Sequence, residues 1–134
     1  MRDPSKQSEL VDGTGDGVRG RRAHIPASAA MTRLERQRDD RFVLLFQHGT
    51  LRVEMYAPRG TDPQTPHSQD EIYVVQSGRG TWFDGVERRL FAPGDMLFAA
   101  AGSVHRFENF TDDFSAWVIF YGPDGGERNE DPNG

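Results

Sequence analysis

The 134-residue chain has room for one domain and carries 16 basic against 21 acidic residues, so an excess of negative charge argues against nucleic-acid and membrane-surface partners. With no cysteine, neither a disulfide framework nor a thiolate zinc site is possible, so any metal must be held by histidine and carboxylate. No apolar run approaches the roughly 20 residues that span a bilayer, and the opening MRDPSKQSEL lacks the apolar stretch of a secretory signal, so a cytoplasmic location is expected.

Residues 1–22 are rich in Gly, Asp, Arg and Ser and poor in large apolar side chains, and are expected to form a disordered tail. The stretch 123–134 reads the same way, which leaves 23–122 as a single folded domain. Its first element is a helix within 26–40 (PASAAMTRLERQRDD), with Ser28 or Thr32 as the expected cap. Beyond it the pattern is β. Strands are expected at 42–47, 51–57, 71–76, 80–84, 87–91, 96–99, 104–109 and 114–121, each dense in Val, Ile, Phe, Tyr or Trp and separated by Gly, Pro, Asp and Ser. Asp84-Gly85 fits a two-residue hairpin turn, because both residues tolerate a positive φ. Eight short strands and one peripheral helix define an all-β sandwich or double-sheet barrel; with no helices between strands, a parallel βαβ architecture is excluded.

Two of the four histidines stand in informative contexts. In His67-Ser68-Gln69-Asp70-Glu71-Ile72-Tyr73, alternation puts Glu71 and Tyr73 on one face, and an extended run carries His67 there too. A glutamate facing inward from an apolar strand is costly unless something positive compensates it. In Val104-His105-Arg106-Phe107-Glu108-Asn109, His105, Phe107 and Asn109 are expected to share the face opposite Arg106 and Glu108. Taken singly, each histidine reads as an ordinary hydrogen-bonded residue; a His105 that projects inward beside aromatics would complete a site with His67 and Glu71. His48 reads as a polar turn residue, and His24 as an inert one at the edge of the tail. Arg52, Glu54 and Tyr56 alternate with Leu51, Val53 and Met55, so they line either a solvated outer face or a cavity wall. Tyr73, Phe107 and one of Trp82 or Trp117 are the aromatics placed to line a site.

The residues His67-x3-Glu71-x6-Gly78, followed by Gly94-x5-Ala100-x-Gly102-x2-His105-x3-Asn109, resemble in order the two motifs of the cupin family. The likeness implies a double-stranded β-helix, or jelly-roll, barrel with one short N-terminal helix. It also implies one divalent ion (Fe, Mn, Zn or Ni) on His67, Glu71 and His105. Thr65 stands where the family usually carries a first histidine, so the set falls to two imidazoles and one carboxylate. That arrangement resembles the facial triad of non-haem iron(II) oxygenases and leaves positions open for substrate.

A metal-dependent enzyme acting on a small organic molecule is therefore the first functional expectation. Oxygenase-type chemistry ranks ahead of isomerase, decarboxylase or lyase activity, and Tyr73 is the candidate catalytic acid or base. The alternative is a non-catalytic module that binds or senses a small molecule with a degenerate metal site. A barrel merely stabilised by its metal is a third. The family likeness implies a homodimer, and the two-sided apolar run 42–46 (FVLLF) needs cover from a helix or a partner.

Overall fold

Runs of β-branched and aromatic residues punctuated by glycine and proline produce eight antiparallel strands in the computed structural model, which describes residues 18–37 and 40–129. They are β1 (Phe42–His48), β2 (Leu51–Tyr56), β3 (Asp70–Ser77), β4 (Gly80–Phe83), β5 (Arg88–Phe91), β6 (Met96–Ala99), β7 (Arg106–Glu108) and β8 (Ser115–Tyr121). One sheet has the order β1-β2-β8-β3-β6 and the other β5-β4-β7. The fold is all-β, a jelly-roll of two facing sheets with one helix among the described residues, α1 (Ala27–Glu35).

Two apolar clusters hold it together. Between the sheets, Tyr73, Val75, Ala99, Ala116, Val118 and Phe120 of the larger sheet meet Trp82, Phe91 and Phe107 of the smaller. Their rings pack edge-on or tilted, as with Tyr73–Phe107 at 4.9 Å between centroids. On the opposite face of the larger sheet, Ala30 and Leu34 of α1 cover Val43, Leu45, Met55 and Ala57. The helix thus supplies the cover that the two-sided run of β1 requires.

Several local expectations are corrected. Neither Ser28 nor Thr32 caps α1: Pro26 is the N-cap residue, and the Thr32 hydroxyl donates back to the Ser28 carbonyl at 3.0 Å. The hairpin between β4 and β5 turns at Gly85-Val86 rather than Asp84-Gly85. Asp84 instead uses its carboxylate to accept from the amides of Val86 and Glu87, both at 2.8 Å, while Gly85 has φ +100°. Asn109 leaves the inward face of β7 because its backbone turns to φ 49°, and its side chain is exposed.

The segment 122–127, most of it assigned to the C-terminal tail from sequence, hydrogen-bonds back to the domain. Gly125 N donates to Ser68 O at 2.6 Å, and Glu127 N to the buried Asp70 carboxylate at 2.7 Å. At the other end, Gly20 O meets His48 Nδ1 at 2.7 Å, so His48 closes β1 onto the preceding segment. Residues 1–17 and 130–134, the remainder of the expected tails, lie outside the described residues.

Candidate metal site and cavity

Sheet register places the polar residues. Across the larger sheet, Arg52 of β2 pairs with Phe120 of β8, and Phe120 pairs with Glu71 of β3. The next inward-facing row is Glu54, Val118 and Tyr73. Arg52, Glu54 and Tyr56 therefore lie on the inner face, which resolves their ambiguity: with Glu71, Tyr73, Val118 and Phe120 they line a cavity of about 390 Å³. Gln64, Thr65 and His67 from the loop before β3 complete its rim.

His67, Glu71 and His105 converge, with one potential ligand atom from each lying within 4.8 Å of the others. His67 reaches the site from a loop rather than from the strand. Its carbonyl accepts from Gly102 N at 2.8 Å, and its ring stands edge-on to Phe120 at 5.0 Å. His105 stands just before β7, with Nε2 2.7 Å from Glu71 Oε1 and Nδ1 2.9 Å from the Ser103 carbonyl. His67 Nε2 is 4.0 Å from the same carboxylate oxygen.

Glu71 is 1% exposed, and neither of its carboxylate oxygens has a hydrogen bond of good geometry. A buried carboxylate without donors is among the costliest groups a fold can carry. Two imidazoles and one bare carboxylate, held close enough for one ion, have the donor chemistry of a divalent metal site, and the residues fit the group. Burial alone would lower the pKa of His105, but the Glu71 carboxylate and the Ser103 carbonyl outweigh it and hold the value above that of free imidazole.

A polar chain surrounds the triad. The Tyr73 hydroxyl lies 3.2 Å from His105 Nε2 and donates to Gln64 Oε1 at 2.7 Å. Burial first, and then the Glu71 charge, push the Tyr73 phenol well above its usual pKa. Gln64 Nε2 in turn donates to Asp62 Oδ2 at 2.6 Å. Asp62 also accepts from the Tyr56 hydroxyl and, at 2.8 Å, from the Phe107 amide, tying the loop to the free edge of β7. Asp62 and Gln64 were not anticipated from sequence. The available signal was Asp62-Pro63, a turn-initiating pair whose carboxylate accepts from the Gln64 amide two residues on.

Of the other aromatics, Trp82 stands near the site, its ring 5.6 Å from that of His105. Trp117 packs against the helix-side cluster and donates to Gln76 at 3.1 Å. Phe107 belongs to the core between the sheets. Glu54 is buried, with Arg52 Nη2 2.8 Å from its Oε2. Burial raises its pKa, Arg52 opposes the shift, and Glu71 adds to it.

The family profile Cupin_2, a cupin domain, matches residues 52–121, over half of the chain. The chain belongs to the cupin family. It is 33% identical over 88 residues to the uncharacterized protein SCO3923 of Streptomyces coelicolor, covering 64% of this chain and 84% of that one. A cupin 2 conserved barrel protein from Salinispora arenicola shares the fold, with a TM-score of 0.55 and 22% identity over 66% of this chain and 82% of its own. The DMSP lyase DddQ from Ruegeria pomeroyi superposes with a TM-score of 0.52 and 27% identity, over 60% of this chain and 46% of the lyase. No helix among the described residues is long and apolar enough to cross a membrane.

Proposed function

We propose that this cupin is a metal-dependent enzyme acting on a small organic molecule bound in the cavity above His67, Glu71 and His105. The observation that carries the reading is Glu71, whose buried oxygens make no hydrogen bond of good geometry and face two imidazoles. An Fe, Mn, Zn or Ni ion held there supplies Lewis acidity and, if it is iron(II), redox chemistry with dioxygen. The chain's own residues do the rest. Tyr73 offers its hydroxyl as a proton donor beside His105, Gln64 and Asp62 orient that hydroxyl, and Phe120 and Val118 form an apolar floor that limits water. The three-ligand set favours oxygenase-type chemistry; similarity to a DMSP lyase makes a lyase the nearest alternative. Assay of metal-reloaded protein against an aerobic and an anaerobic substrate panel tests this. Substrate-dependent oxygen uptake supports the oxygenase, turnover without oxygen supports the lyase, and no turnover with any metal contradicts both.

A second reading rests on Thr65, which is exposed at the cavity rim where the family usually carries a histidine. A site short of one ligand suits a non-catalytic cup that binds or senses a small molecule, and ligand binding without turnover is its signature.

We also propose a cytoplasmic homodimer. The outer face of the larger sheet away from α1 carries Ile72 and Val74 beside Phe98 and Met96, which are 47% and 63% exposed. An exposed apolar patch on a regular sheet face suits burial against its own copy about a two-fold axis.

A further inference from the structure

The cavity contains one feature that metal binding does not use. Arg52 is the single lysine or arginine among the residues lining it, and it stands on the same wall as the ligands. Register separates Arg52 from Glu71 by one strand, β8, which places their backbones about 10 Å apart. The ring between them is shared: the Arg52 guanidinium lies 5.5 Å from the Phe120 centroid, and the His67 ring packs against the same phenylalanine at 5.0 Å. Glu54 holds Arg52 through Nη2 at 2.8 Å, the one hydrogen bond formed by its side chain among the described residues. Four of the five guanidinium donors stay open, and the side chain is 42% exposed.

A counterion for Glu54 alone would satisfy a smaller demand than this geometry offers. Among the residues lining the cavity, Arg52 balances Glu54, and a divalent ion on the two histidines and Glu71 would give the wall a net positive charge, offset by the Asp62 carboxylate behind Gln64. A fork of free N–H groups at one end and a cation at the other is complementary to an anion with a second polar group a few atoms away. We infer that Arg52 anchors the carboxylate of the ligand, so that the cavity takes a small organic acid whose hydroxyl, carbonyl or second carboxylate faces the metal-site residues. The cavity of about 390 Å³ falls within the range of small-molecule sites. This inference rests on the metal-site reading and narrows it from any small molecule to an acid.

The test is calorimetric titration of zinc-reloaded protein with lactate, 3-hydroxybutanoate and succinate, each beside its amide, which keeps the shape and removes the charge. At least one acid is expected to bind about tenfold or more tighter than its amide. Arg52→Gln is expected to abolish that preference without changing metal content, and Arg52→Lys to keep part of it. Glu54→Gln removes the competing carboxylate and is expected to tighten acid binding a few-fold, whereas a purely structural ion pair would yield only a less stable protein. If Arg52→Gln does not fold by circular dichroism, the Lys and Glu54 variants decide. Equal affinity for acid and amide, a preference unchanged in every Arg52 and Glu54 variant, or no binding up to about 10 mM overturns the inference. The same titrations on a His67→Ala, His105→Ala double variant separate the two readings. An Arg52-dependent preference without metal upholds the acid site even if the metal site fails. Stoichiometric metal with no such preference ends the acid inference alone.

Discussion

His105 presents Nε2 to the Glu71 carboxylate at 2.7 Å while its Nδ1 is tied to the Ser103 carbonyl at 2.9 Å. A carbonyl only accepts, so the neutral ring carries its proton on Nδ1 and turns a bare lone pair toward a buried, donor-free carboxylate. Two acceptors at that separation are compatible only with a cation beside them, either a second ring proton or a metal ion. Fixing the tautomer through the outer nitrogen is also how metal-binding histidines are usually oriented.

The site is consequently a cost to the metal-free fold. Glu71→Gln replaces a buried charge, balanced in the metal-free protein only by a proton on His105, with an amide that can donate to His105 Nε2. It is expected to raise the stability of the chelated protein by about 1–3 kcal/mol while abolishing metal binding. Urea titrations of both proteins with EDTA present measure this, and a large destabilisation would show that Glu71 is satisfied in a way the geometry does not reveal.

Asp62 ties together the cavity loop, Tyr56 and β7. Asp62→Ala leaves the Phe107 amide and the Tyr56 hydroxyl without their acceptor, a loss of about 2–4 kcal/mol. Hydrogen exchange should report it locally, with the Phe107 amide exchanging faster than the amides of β4, with which β7 pairs. Uniform exchange along the chain would mean that Asp62 does not hold the loop.

Glu54 gives a pH dependence. Its carboxyl is raised in the folded protein by burial, so the native state binds the proton more tightly than the unfolded chain does. Stability should therefore fall as pH rises from the ordinary carboxylate pKa through the raised folded value, and level off above it. Glu54→Gln should remove that part of the slope in chelated protein. A variant whose stability follows the wild-type curve between pH 4 and about 7 would contradict the assignment.

The proposed dimer depends on the exposed face of β6. Phe98→Glu or Met96→Glu should shift the mass in light scattering from dimer to monomer at about 10 µM, without loss of metal. A wild-type monomer at that concentration removes the proposal.

The strands were legible because each apolar run is short and bounded by turn residues, and Met96–Ala99 appears with the bounds expected of it. His67, Glu71 and His105 were legible because their spacing carries the family motifs. The cap of α1 was not: Ser28 is a good capping residue, but Pro26 already sets the extended backbone at the helix entrance. For Arg52, Glu54 and Tyr56, alternation told that they share a face but not which one. That depended on pairing with β8, whose partner residues are 60 to 68 positions away along the chain. Asp62 stayed hidden for the same reason, since its partner Phe107 is 45 residues away, and Gln64 because its bond to Tyr73 spans an irregular loop that no alternation pattern places.

Elemental analysis of protein purified without added metal tests most directly whether one metal ion sits on the two imidazoles and the carboxylate. The wild type should carry close to one equivalent of a divalent first-row metal, and His67→Ala, Glu71→Gln and His105→Ala should each lose it, their affinity falling by more than about a hundredfold. A wild type that neither carries nor takes up metal at micromolar concentration, or variants that keep it, would contradict the account.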